Sequence, residues 1–221
     1  MSDGPPPYRA VIFDMDGVVT DSEPAFFAAI NDILSRYGHS ISAEEYAPNI
    51  GSSAPATWTA MIERFSLPVA LGAIIEEYEG PLMERLRQPR PALPGARELV
   101  ERLRAASVPV ALCTASYRRW ADAILAAAGL EGLFDVISSA DLVERTKPDP
   151  EPYRLAASML GLQPRQCVAI EDSANGLASA IAAGCCVVQL RATETAAAPM
   201  PGVDHVISSL DEFPLALVVP S

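Results

Sequence analysis

From residue 95 onward, short apolar runs of strand length alternate with helix-length segments that glycine terminates. The pattern predicts strands over 108–113, 134–137, 167–170, 185–190 and 205–207. It predicts helices over 95–105, 118–128, 150–160 and 174–183, with Gly129, Gly161 and Gly184 as stops. Strands that read as continuous apolar runs, with a helix between each pair, imply an α/β core whose parallel sheet is covered on both faces. A run of the same type stands at 9–13, far from the others. Between it and residue 87 the chain reads as helix only, over 24–37, 43–46, 56–65 and 71–86, with loop signals at 48–53 and 67–68. Pro89, Pro91 and Pro94 mark the 88–94 stretch as a linker or hinge. The first strand therefore belongs with the later series. The expected organisation is one core, 8–22 with 91–221, into which a helical piece, 23–90, is inserted. The Pro/Gly-rich leader at 2–7 is expected to be disordered.

A formal charge of −12 over 221 residues argues against nucleic acid and anionic membranes as partners. It also means that an anionic substrate needs a local device, such as a metal ion or helix amino termini. No apolar stretch reaches membrane-spanning length, and residues 1–10 lack a signal-peptide core, so a soluble, cytoplasmic, monomeric protein is expected. Cys113, Cys167, Cys185 and Cys186 have no C-x-x-C spacing and fall at or near predicted strands. They read as reduced core residues. Lys147 is the sole lysine, against 15 arginines, and only His39 and His205 supply imidazole.

In open parallel sheets, ligands gather at the carboxyl ends of the strands. The first strand ends in Asp14-Met15-Asp16-Gly17, the second in Thr114-Ala115-Ser116, and the fourth in Glu171-Asp172-Ser173. Lys147 precedes the helix near Pro150. One rim would then hold four carboxylates, a hydroxyl and one ammonium. So many acids repel unless a cation sits among them, and a set of oxygen ligands suits Mg²⁺. With helix amino termini at Ser116 and Ser173, such a rim suits a phosphoryl group.

The four segments Asp14-Met15-Asp16-Gly17-Val18-Val19-Thr20-Asp21-Ser22, Thr114, Lys147-Pro148-Asp149-Pro150 and Glu171-Asp172-Ser173-Ala174-Asn175-Gly176 together resemble the motifs of the haloacid dehalogenase superfamily, in order and over essentially the whole chain. The resemblance implies a Rossmann-like core with an inserted α-helical cap, and an Mg²⁺-dependent phosphatase acting on a small phosphorylated metabolite. It assigns Asp14 as the nucleophile that becomes an aspartyl phosphate. Asp16 would be the general acid and base, with Thr114 and Lys147 holding the phosphoryl group. Gly17, Ala115 and Ser116 would line the phosphate site. Asp14, Asp172 and the backbone carbonyl of Asp16 would bind Mg²⁺, with Glu171 an additional ligand or a group behind the ligands. Thr20 to Ser22 would be one hinge of the cap.

Within the superfamily, Asp16 favours phosphoryl transfer over dehalogenation. A cap without lysine excludes phosphonate cleavage through a Schiff base. The β-phosphoglucomutase branch resembles the chain closely but carries a cap arginine soon after a glycine, where this chain reads Gly51-Ser52-Ser53-Ala54. A phosphatase for a sugar phosphate or phosphoglycolate is therefore expected, with a mutase or a non-catalytic binding protein as alternatives. Cap residues 49–57 would face the substrate. Cys113 and Arg119 match C-x₅-R, the spacing of cysteine-dependent phosphatases. The intervening residues contain no glycine to let backbone amides wrap a phosphate, so the match reads as chance.

Overall fold

A computed structural model describes residues 7–192 and 198–219. The leader at 2–7 lies, except for Pro7, outside them. Six strands form a single parallel sheet: β1 (Ala10–Asp14), β2 (Val110–Cys113), β3 (Val136–Ser138), β4 (Cys167–Glu171), β5 (Cys186–Leu190) and β6 (His205–Ile207), in the order β3-β2-β1-β4-β5-β6. This is the Rossmann-like α/β arrangement. The chain builds outward from β1 through β2 to β3, then returns to β4 on the other side. β1 and β4 thus flank the point where the winding reverses, and the crevice above their carboxyl ends is where such sheets bind ligands.

Side-chain alternation along the strands divides the core into two layers. Val11, Phe13, Val110, Leu112, Val168, Ile170, Val188 and Leu190 face one way, against α5 (Ala96–Ala105) and α6 (Arg118–Ala127). Ala10, Ile12, Ala111, Cys113, Cys167, Ala169 and Val187 face α7 (Glu151–Met159) and α8 (Ala174–Ala183). The second face is made largely of small residues, among them Cys113, Cys167 and Cys185. All four cysteines are unpaired and buried, as their positions in the sequence suggest.

Between β1 and α5 the chain forms α1 (Glu23–Arg36), α2 (Ala43–Tyr46), α3 (Ala54–Phe65) and α4 (Leu71–Leu86), with no strand among the described residues. Ile30, Ile33, Leu34, Trp58, Ile74, Tyr78 and Leu82 give this block its own buried seam. It leaves and rejoins the core where the two connecting segments run side by side. Thr20 bridges Ala92, the Leu93 amide donates to Val19 O at 2.9 Å, and Thr20 Oγ1 donates to Pro91 O at 3.2 Å. Arg90 donates through Nη2 to the carbonyls of Arg85 (2.9 Å) and Leu86 (3.2 Å), which satisfies the C-terminal end of α4 beside this crossing. Most elements start and stop within two residues of the sequence expectation. Among the two-residue differences, Val108 and Pro109 precede β2 rather than belonging to it, because the Val108 amide closes the C-terminal turn of α5 on Leu103 O.

Candidate active site

Asp14 is the last residue of β1 and is almost fully buried. Its register partner on β2 is Cys113, which puts Thr114 one residue beyond the neighbouring strand. Lys147 arrives on the loop before α7. Its Nζ donates to Asp14 Oδ1 at 2.5 Å, to Glu171 Oε1 at 2.6 Å and to Cys113 O at 3.0 Å, and lies 5.2 Å from the centre of the Tyr153 ring. All three ammonium protons are therefore spent inside the protein, and two carboxylates share one cation.

Glu171, wholly buried at the end of β4, is saturated. Oε1 accepts from Lys147 and from Tyr153 Oη at 2.8 Å. Oε2 faces the amides of Asp172 (3.2 Å) and Ser173 (3.4 Å) and the Ser173 hydroxyl (3.2 Å). Ser173 also caps α8 by accepting from the Gly176 amide at 3.1 Å. Of the two roles open to Glu171, this geometry favours the group behind the ligands, fixing Lys147 and the β4–α8 turn.

Asp172 differs. Its Oδ1 is buried with no hydrogen-bond partner, although ligand oxygens of Asp14, Glu171 and Asp172 lie within 4.8 Å of one another. Burial, reinforced by Asp14 and Glu171, raises the Asp172 carboxyl to about 9. Burial and Glu171, opposed by Lys147, raise Asp14 to about 8. Carboxylates packed this densely against one ammonium lack positive charge. A hard divalent cation fits both the orphaned oxygen and the all-oxygen donor set. Gly17 completes the cradle. It has φ +78°, and a Cβ there would stand 2.0 Å from Asp172 Oδ2, so only glycine lets the loop after β1 approach this carboxylate.

Asp16 points elsewhere. Its Oδ1 accepts from the Ser22 amide at 3.1 Å and from the Ser22 hydroxyl. Burial and Glu23 raise its carboxyl to about 7, against the pull of those two donors. Two carboxyls two residues apart thus sit in different surroundings: Asp14 is ion-paired, and Asp16 is held by neutral donors. Ala115 and Ser116 line the same cavity, and the Ser116 amide donates to Thr114 Oγ1 at 3.0 Å. All seven residues expected to act in catalysis or phosphate binding meet at this rim, together with Asp172 and Glu171.

The helical block roofs the site. Glu79 on α4 pairs with Arg119 on α6, and Asn175 donates to Ser52 Oγ at 3.4 Å. Beneath it lies a narrow, mostly enclosed cavity. Gly51, Ser52, Ala54 and Thr57 line it, all within the expected 49–57 stretch. So do Glu23, Phe26, Tyr46, Trp58, Tyr78 and Trp120, which the sequence did not single out. Glu23 looks like an ordinary acid in a first helical turn, and the aromatics look like core at helical spacing. Glu23 in fact accepts from Tyr46 Oη at 2.6 Å and from the Gly51 amide at 3.4 Å. Cys113 is inert by comparison. Burial holds its thiol at about 12, and Arg119 turns away to Glu79, so the C-x₅-R spacing makes no site.

The model of the haloacid dehalogenase-like hydrolase family matches residues 8–184. The chain belongs to that family. It is 30% identical over 218 residues to the putative phosphatase YhcW of Bacillus subtilis, with 96% of each chain covered. It is 33% identical to a phosphorylated carbohydrates phosphatase of Thermotoga maritima, over 80% of this chain and 82% of that one. Among solved structures, CbbY of Rhodobacter sphaeroides in complex with phosphate superposes with a TM-score of 0.84 at 26% identity, covering 94% of this chain and 96% of that one. The expectation of a phosphatase-type enzyme of this superfamily is met.

Proposed function

We propose that the chain is an Mg²⁺-dependent phosphatase that hydrolyses a small phosphorylated metabolite, of the sugar phosphate or phosphoglycolate type, through a phosphoryl group carried on Asp14. The carrying observation is the buried Asp14–Lys147 pair beside Asp172, whose Oδ1 has no protein partner, at the reversal point of the sheet. Asp14, Asp172 and the backbone carbonyl of Asp16 would hold Mg²⁺, which when bound neutralises charge on the phosphoryl oxygens.

Burial and Glu171 raise the Asp14 carboxyl; Lys147 opposes that rise and a cation held beside Asp172 would oppose it further, so that the ionised carboxylate, fixed at a strand end, presents a nucleophile with little reorganisation. Attack on phosphorus forms an Asp14 acyl phosphate and breaks the ester P–O bond. The departing alkoxide takes the proton of Asp16, whose carboxyl near 7 can carry one at neutral pH while Ser22 fixes its direction. Asp16, now ionised, accepts a proton from the water that cleaves the acyl phosphate. Thr114 and the backbone at Ala115 and Ser116 position the phosphoryl oxygens. Residues 23–90 act as a cap over the core, with the paired crossings at Thr20 and Ala92 as its hinge. Their roof over the cavity supports exclusion of water from the phosphoryl centre.

Hydrolysis is favoured over return of the phosphoryl group to a sugar. Ala54 stands where a mutase-type cap arginine is expected, and Lys147 is the one cation lining the described cavity. Four reduced, buried cysteines suit the proposed cytoplasmic setting. Purified protein with Mg²⁺ should release inorganic phosphate from members of a phosphometabolite panel, and Asp14→Asn should lower that rate by at least about three orders of magnitude. Undiminished turnover in Asp14→Asn would sink the assignment.

A further inference from the structure

Two buried polar atoms in side chains that wall the cavity are left unused by the fold. Trp58 on α3 and Trp120 on α6 both line it, are buried to within 1% of full, and have indole Nε1–H groups without a hydrogen-bond partner. Buried indole N–H groups ordinarily find an acceptor, and leaving one unmade is costly. Tyr78 stands between the two rings, edge-to-face with Trp58 at 5.2 Å and with Trp120 at 6.1 Å, and an aromatic face is at best a weak acceptor. The two donors come from opposite sides of the cleft, one from the helical block and one from the core. Both side chains wall the space beside the phosphoryl site, where the non-phosphorylated part of the substrate would lie.

Donors alone would accept a carboxylate, a second phosphate or a hydroxyl. Charge separates these. The carboxyls of Asp14, Asp16 and Glu23 line the same cavity, and Lys147, its one cation among the described residues, already serves Asp14 and Glu171. A second anionic group on the substrate would be desolvated beside Glu23, whose partners, the Tyr46 hydroxyl and the Gly51 amide, bring no positive charge. A polyhydroxylated group meets no such penalty. Its oxygens accept from the indoles, its hydroxyls donate to Glu23, and its C–H faces pack on the aromatic walls.

We infer that Trp58 and Trp120 are binding residues whose indole N–H groups select a neutral, polyhydroxylated leaving group, and that Glu23 excludes substrates carrying a second anionic group. This rests on the phosphatase reading above and narrows its two substrate types to one.

The test uses three probes with the Mg²⁺-loaded enzyme: sorbitol 6-phosphate, 2-phosphoglycolate and phenyl phosphate, the last having no hydroxyl on its leaving group. The wild type should show kcat/KM at least about tenfold higher for sorbitol 6-phosphate than for 2-phosphoglycolate. Trp58→Phe and Trp120→Phe keep a ring and remove the N–H. Each should lower kcat/KM for sorbitol 6-phosphate about tenfold more than it lowers that for phenyl phosphate, the scale of one lost hydrogen bond. Equal losses on both substrates would assign the indoles a packing role and overturn the inference, as would a preference for 2-phosphoglycolate. Thermal unfolding of each variant checks that it is folded, and phenyl phosphate turnover checks that its phosphoryl site is intact. Phosphate release from none of the three probes would remove the phosphatase reading as well, whereas release without discrimination removes this inference alone.

Discussion

Gly176 offers a sharp test of how the site is built. It is the third residue of α8, and an added Cβ would stand 1.8 Å from Glu171 Oε1 and 2.0 Å from its Cδ. In an exposed helix interior, Gly→Ala stabilises by about 1 kcal/mol. Here the methyl must displace a carboxylate that is wholly buried and holds Lys147, Tyr153 and Ser173. Moving Glu171 weakens at least two charge-assisted contacts, each worth about 1.5–3 kcal/mol. Against the helix gain, the net loss is about 2–5 kcal/mol. For a chain of this size that lowers Tm by roughly 5–15 °C.

Gly72 supplies the control. It lies in the first turn of α4, is exposed, and would place nothing within 4 Å of a new Cβ. Gly72→Ala should therefore raise stability, by up to about 1 kcal/mol. Urea and thermal unfolding of the two variants should give shifts of opposite sign. A Gly176→Ala protein as stable as the wild type, with unchanged turnover, would refute the claim that Glu171 is the fixed support of Lys147.

The remaining expectations are simpler. Lys147→Met leaves two buried carboxylates sharing no cation and should cost about 3–5 kcal/mol of stability, read by urea unfolding, as well as activity; a stability within 1 kcal/mol of wild type would contradict the buried-pair argument. Stripping divalent cations with EDTA should abolish phosphate release and excess Mg²⁺ should restore it, whereas full activity in EDTA would remove the role given to Asp172. The Cys113 thiol, held near 12 by burial, stays neutral at pH 8, so iodoacetamide should not inactivate the enzyme and Cys113→Ala should retain turnover; rapid stoichiometric inactivation at Cys113 would restore the C-x₅-R reading.

The course of the chain was legible because its signals are local. Apolar runs of four or five residues, glycine stops such as Gly184 and the proline cluster before Gly95 each act through nearby backbone geometry, and they place every strand and long helix. The acids at 14, 16, 171 and 172 were visible because strand ends are poor places for carboxylates without a purpose. The sheet order that brings them together follows from parallel winding with a return to the other side of β1.

What the sequence could not say is which polar groups the fold leaves unsatisfied. Glu171 and Asp172 are neighbours of the same chemical type. Only the tertiary structure shows that Glu171 is saturated by Lys147, Tyr153 and Ser173 while Asp172 Oδ1 has no partner. Trp58 and Trp120 have the spacing of ordinary core residues, and their unpartnered N–H groups emerge only when α3 and α6 meet across the cavity. By itself, then, the sequence determined the architecture, the acidic rim and, through the four motifs and their order, the reaction class, since each depends on residue type and position along the chain. The tertiary structure alone shows which buried polar atoms the fold leaves without a partner, Asp172 Oδ1 and the Trp58 and Trp120 indoles among them. Those depend on how hydrogen-bond partners are shared among segments more than 100 residues apart, as between Asp14 and Lys147, which are separated by 133 positions.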